Sequence, residues 1–299
     1  MRNLVSSRRS VLALVLSFLL FSLAAVLMFT RFGVFLVFDF ASLWRETDNF
    51  NTLYTDAPIE ITHVLDRSED FELPRHIEQV SGIIARGDDV VLSTDQAEVF
   101  FLNLADPQMT SGGNLFPYTP LLLRQGSIES ITQVGDENWL AGEYGVFVRA
   151  DQTGKFVGTH PLPDALQSAE ITGITWMDGI IFVTVDNTMA LARVDIQTGE
   201  STAFLLDFSL ISDQIIDNTT FLWSGVAYDS GRLYIVAENY PVIIIANAIT
   251  GQVIETIGIT GYQEYSDIAV SNGRIFLPSD HNYFDARPPV RIFRAPARS

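Results

Sequence analysis

Cysteine is missing from all 299 residues. Disulfides, thiolate metal sites and cysteine nucleophiles are therefore closed to this chain. Positive charge is scarce as well: Lys155 is the one lysine, and 18 basic side chains face 36 acidic ones. A nucleic-acid partner is excluded on that balance, because neutralising phosphates takes clustered Lys and Arg. Acidic ligands are disfavoured for the same reason, whereas cations and basic molecules are attracted. The sequence also lacks a G-x-S-x-G elbow, a P-loop, an H-E-x-x-H pattern and a dinucleotide-binding glycine pattern. Among the four histidines, His63, His76 and His160 show no metal-ligand spacing. Apolar side chains, by contrast, make up 47% of the residues, which rules out a disordered chain.

Residues 11–30, VLALVLSFLLFSLAAVLMFT, are an uncharged apolar run. Its length matches the ~20 residues that a helix needs to cross a bilayer. The run is longer than the apolar region of a signal peptide, and no small-x-small cleavage site follows it before Arg31, so it reads as an uncleaved anchor. Arg2, Arg8 and Arg9 precede it, which tilts residues 1–10 toward the cytoplasm. Residues 31–58 then form a juxtamembrane linker, in which Phe32 to Trp44 is apolar but too short to span and carries Asp39. Beyond Arg45 the chain keeps 13 basic and 35 acidic side chains, and this part is expected outside the cytoplasm.

The remainder is organised by a repeat. Five segments open on Ser81-Gly82-Ile83, Glu129-Ser130-Ile131, Thr172-Gly173-Ile174, Ser224-Gly225-Val226 and Ser266-Asp267-Ile268, at intervals of 48, 43, 52 and 42 residues. Each continues through a turn bearing Gly87, Gly135, Gly179, Gly231 or Gly273 into an apolar strand. Third strands follow, such as VFFLNL (99–104) and VIIIAN (242–247), and then fourth strands such as KFVGTHPL and QVIETIGI. Turns of the form Asp151 to Gly154, Asp195 to Gly199 and Asn247 to Gly251 suit the hairpins between them. Four short strands per unit at this period specify an all-β, five-bladed β-propeller over residues 59–299. A six-bladed ring would need one blade that has lost its motif. The fifth unit is one strand short, and residues 59–65, IEITHVL, are expected to complete it and close the ring.

Thirteen residues after each middle motif position stands a carboxylate: Asp95, Glu143, Asp186, Glu238 and Asp280. Propeller topology places all five at one mouth of the channel, with Glu129 and Asp267 expected on the same rim. Such a ring concentrates cations, and calcium, with ~6–8 oxygen ligands, suits it. Those seven residues are the candidate metal ligands. A plainer reading makes the repeated carboxylates acceptors for backbone N–H groups at the turns. For catalysis the candidates are Glu129, Asp280 and His281, the last adjoining Asp280. Residues 66–79, 208–223 and 281–289 are expected as long loops over the rim, and 105–117 as a loop on the opposite face.

The blade SGVAYDSGRLYIVAE (224–238) resembles the signature of the SdiA-regulated family, the YjiK and CarP type of membrane-anchored bacterial propeller. The first blade, from Ser81 through Asp95, is similar, and lactonase-like and NHL propellers share the same grammar. Where several blades of the family open with Glu-Gly, only Glu129 keeps the acid here, and Thr172 and Ser266 stand in the corresponding places. The resemblance implies an inner-membrane, single-pass protein with its propeller on the periplasmic side, linked to calcium and without an established reaction. The function expected is thus a divalent-cation-binding module of the cell envelope, whose partners are a cation, an envelope protein or a small-molecule ligand. The alternatives are a metal-dependent phosphoesterase or lactonase-like hydrolase, and an interaction scaffold without metal.

Overall fold

A computed structural model of the chain describes residues 59–296, apart from 66, 75, 78, 96, 115–126, 143–144, 186–190, 213–220, 260–264 and 280–288. All of these belong to one compact unit, residues 56–299. The anchor expected at 11–30 and the linker at 31–58 lie outside the described residues. Among the described residues no helix is long and apolar enough to cross a membrane.

The chain opens with β1 (His63–Leu65) and β2 (Arg67–Phe71) and then builds its blades in order. Blade I holds β3 (Val80–Arg86), β4 (Asp89–Thr94), β5 (Glu98–Asn103) and β6 (Asp106–Asn114). Blade II holds β7 (Ile128–Val134), β8 (Glu137–Gly142), β9 (Val146–Ala150) and β10 (Phe156–Pro161). In blade III these are β11 (Ile171–Met177), β12 (Ile180–Val185), β13 (Leu191–Asp195) and β14 (Ser201–Phe204). Blade IV follows with β15 (Trp223–Asp229), β16 (Arg232–Ala237), β17 (Val242–Asn247) and β18 (Val253–Ile259). Blade V has β19 (Ala269–Ser271), β20 (Arg274–Leu277) and β21 (Val290–Arg294) from this part of the chain. Five sheets make a five-bladed propeller, and the six-bladed alternative falls away.

Ring closure differs from expectation in which segment performs it. β2 supplies the outer strand of blade V, antiparallel to β21, with Phe71 opposite Val290. Residues 63–65 instead add a fifth strand to blade IV, parallel to β18. The polar sequence RSEDF suits an outermost strand, where Glu69 and Asp70 stay exposed and Phe71 is buried. Thr62 and Thr256 then lock β1 to blade IV: the Thr62 N–H donates to the Thr256 carbonyl at 2.9 Å, and the Thr256 N–H donates to Thr62 Oγ1 at 3.1 Å. A second correction concerns 105–117, whose described part is the strand β6 and not a loop.

Hydrophobic packing lies between the blades. Five separate clusters fill the five blade interfaces, so the middle strands must be apolar on both faces. In β17, Val242, Ile244 and Ala246 face blade III while Ile243 and Ile245 face blade V. Strand alternation sends one sequence into two cores.

The two rims are unequal. Every connection from first to second strand is a two-residue turn, and those from third to fourth run two to five residues. Asp178-Gly179, Ser230-Gly231 and Asn272-Gly273 all have positive φ at both positions, as the primed hairpin turns require. On this side Asp195 Oδ1 accepts the N–H groups of Gln197 and Thr198, and Asn247 Oδ1 those of Ile249 and Thr250. Connections on the other rim run from three residues to eighteen. Loops of that kind are where propellers and other rigid scaffolds place binding groups.

Candidate functional site

In blades I to IV the repeated motif is a β-bulge. Ladder register slips by one residue between Val80 and Gly82, Ile128 and Ser130, Ile171 and Gly173, and Trp223 and Gly225. Blade V slips likewise, with Tyr265 opposite Ser279 but Ala269 opposite Phe276. A bulge leaves one residue unpaired and re-aims its neighbours. In blades III and V the extra residue, first in the motif, bonds to the next blade: Thr172 Oγ1 donates to the Trp223 carbonyl at 2.5 Å, and Ser266 Oγ to the Val80 carbonyl at 2.7 Å. Its successor turns to the propeller axis.

At the axis stand Gly82, Ser130, Gly173, Gly225 and Asp267, one from each blade. Asp267 is 1% exposed, which corrects its expected place on the open rim. Its Oδ2 accepts the Ile83 N–H of blade I at 3.0 Å and the Ser130 hydroxyl of blade II at 3.0 Å. Oδ1 accepts the Ile268 N–H at 2.8 Å, and the Ile131 N–H adds a further donor. Ser130 Oγ in turn accepts the Ile174 N–H of blade III at 3.0 Å. Blade IV contributes close packing: a Cβ at Gly225 would stand 2.6 Å from both Asp267 Cα and its Oδ1. Asp267 and Ser130 thereby join four blades by hydrogen bonds, and Gly225 packs the fifth against them. Burial pushes it well above the ordinary carboxylate range, while the Ile268 and Ile83 N–H groups, the Ser130 hydroxyl and the Ile131 N–H pull the other way.

These donors decide the fit of a metal at this point. Calcium takes oxygen lone pairs, and Asp267 is met by N–H and O–H hydrogens on both oxygens. Its carboxylate does not fit a calcium site. Among the described residues no three His, Cys, Asp or Glu side chains group as a metal ion would require.

Of the remaining candidates, Asp95 and Glu238 occupy equivalent places. Each follows the second strand of its blade, and each N–H donates to the carbonyl of the residue three before the motif's middle: Asp95 to Gln79 at 3.2 Å, Glu238 to Leu222 at 2.8 Å. Both are half-buried at the rim with the longer connections. Glu129 is half-buried and accepts a hydrogen bond from Ser127 Oγ through Oε1. Glu143, Asp186, Asp280 and His281 lie outside the described residues. Ser130 was not among the candidates, although a serine where three other blades carry glycine was the available signal.

A cleft of about 620 Å³ opens elsewhere, between blades I and II on the side of the tight turns. Arg86, Asp89, Phe101, Asn103, Asp106 and Asn138 are among its lining residues.

The chain matches no protein-family model and no curated protein. Among solved structures it is similar to glutaminyl cyclase from Myxococcus xanthus, at 16% identity and a TM-score of 0.58, over 79% of this chain and 98% of that one. It also aligns with U3-55K at 7% identity and a TM-score of 0.48, over 76% and 99% of the two chains. The first likeness supports the propeller fold.

Proposed function

We propose that this protein is a membrane-anchored binding module of the cell envelope, whose longer-loop rim offers carboxylates to a divalent cation. The reading takes residues 11–30 as the anchor, the propeller as extracytoplasmic, and the chain as a relative of the SdiA-regulated propellers that its blade signature resembles. The observation that carries it is the equivalent placement of Asp95 and Glu238 at the end of their inner hairpins. Glu143, Asp186 and Asp280 share their sequence offset and complete the proposed ring. Asp267 is not part of it, and its role is to hold the blades at the axis.

Thermal unfolding of the full-length protein in detergent, chelated and then titrated with calcium or magnesium, tests this reading. A cation that binds only the folded state at ~100 times its dissociation constant adds about 2.7 kcal/mol, an upward Tm shift that Asp95→Asn combined with Glu238→Gln should abolish. No shift in the unsubstituted protein would return these carboxylates to a purely architectural role.

The likeness to a glutaminyl cyclase adds a second reading, an enzyme acting on peptides that begin with glutamine. Ammonia release from such a peptide, with and without calcium, is its measure. Activity lost in Glu129→Gln with the Tm unchanged would favour the enzyme over the binding module.

A further inference from the structure

Six large apolar side chains are prominently exposed among the described residues, and five of them lie along the outer edge of blade IV or on the segment bridged to it. Scattered exposed apolar residues need no explanation, but a cluster does. Val64 lies on β1 opposite Gly258, and Ile254 lies four residues before Gly258 on β18, so both point to the same side of the blade IV sheet. Leu205 and Leu210 flank Asp207 on the segment leaving blade III, which is held to blade IV where Asp207 bridges Gln252. The Asp207 N–H donates to the Gly251 carbonyl at 2.9 Å, and the Val253 N–H donates to the Asp207 carbonyl at 2.8 Å. Ile249, 74% exposed, caps the turn between β17 and β18 beside this bridge.

Two exposed carboxylates, Glu60 and Asp207, stand at the same edge. Residues 242–259 contain one ionisable side chain, Glu255, which is largely buried and lies 3.3 Å from His63. No Lys or Arg occurs in 59–65, 205–212 or 242–259.

We propose that the outer edge of blade IV, together with Leu205 to Leu210, docks onto the surface of a lipid bilayer. The inference rests on reading residues 11–30 as a membrane anchor. A bilayer is favoured over a soluble partner because the described chain enters the propeller at this edge, with Ile59 buried just before β1. Only residues 31–58 separate Ile59 from the apolar run. Tethering raises the local concentration of bilayer surface, so a handful of apolar side chains is enough for a populated contact.

Freedom from cysteine makes the test direct. Full-length protein bearing Ile249→Cys is labelled with an environment-sensitive fluorophore and reconstituted in phosphatidylcholine liposomes. Asp136→Cys, on the β7–β8 turn of blade II, is the control. The label at 249 is expected to shift to the blue and lose most of its quenching by aqueous iodide, while that at 136 stays quenched. Adding Leu205→Asp and Ile254→Asp, both at solvent-exposed positions, should restore quenching at 249 with the Tm unchanged. Liposome flotation separates the two ways of failing. Protein that does not float overturns the anchor itself, whereas protein that floats with 249 as quenched as 136 overturns the docking alone. Protection at 249 that disappears when the protein is diluted in lipid would assign the edge to a second copy of the chain and overturn the proposal as well.

Discussion

Asp267→Ala should be the most damaging single substitution in the propeller. It strands the Ile83 and Ile131 N–H groups and the Ser130 hydroxyl in a site that is 99% buried, and it releases the tie between blades. Each orphaned donor costs about 1–3 kcal/mol, and partial relief by entering water brings the expected loss to about 3–5 kcal/mol. Against a total stability of about 5–15 kcal/mol that is a large share, and at the lower end it leaves the fold marginal. Urea denaturation of the variant is the check. A loss under about 1 kcal/mol would mean that the axial hydrogen bonds contribute little beyond what water supplies.

The isosteric Asp267→Asn keeps one acceptor oxygen but turns an NH2 group toward N–H or O–H donors, and it should cost about 1–3 kcal/mol. Its deficit should also depend on pH. The folded-state pKa of Asp267 is raised above the unfolded value of about 3.9. The stabilising contribution of the protonated group is therefore complete below that unfolded value. As pH climbs from there toward the raised folded value, the unfolded chain gives up its proton first and the contribution is lost. The variant should thus trail the unsubstituted protein by more at pH 4 than at pH 7. A deficit that does not vary with pH would mean that Asp267 has the same pKa in the folded and unfolded chain.

Gly225→Ala is the second substitution expected to bite deeply. The obstruction is the backbone of Asp267 as well as its carboxylate, and backbone cannot swing aside as the tip of a long side chain does. Forcing a methyl group into a filled site costs about 1–3 kcal/mol, and this one should reach the upper end. Gly179→Ala is the useful comparison. Its turn has φ of 91° but open space around the missing Cβ, so only the left-handed backbone is penalised, by about 1–2 kcal/mol. Comparable losses at 225 and 179 would argue that blade IV yields at the axis. A loss at 225 well above that at 179 would mark the axis as the tightest point of the fold.

Blade number and strand order were legible because each blade repeats the same turn chemistry. Glycines at 87, 135, 179, 231 and 273 marked five inner hairpins, and each hairpin is present with a two-residue turn. The closing strand was not legible. IEITHVL has the composition of a strand and RSEDF that of a loop, yet the latter closes the ring because an outermost strand needs only one buried side chain. Of the candidate site, the equivalence of Asp95 and Glu238 was readable from a constant offset. The burial of Asp267 was not, since an aspartate beside an acidic rim is ordinarily assigned to solvent.

By itself the sequence determined the five blades, the turns that join their strands and the sign of the surface charge, because these depend on local conformation and composition. Which motif position meets its neighbour and which meets the axis was decided only in the tertiary structure. Side chains alternate along a strand with period two, and one extra residue at a bulge reverses everything that follows. The chemistry of Asp267 was decided there too: four N–H and O–H donors converge on it only when the inner strands of blades I, II and V are brought together around a single axis.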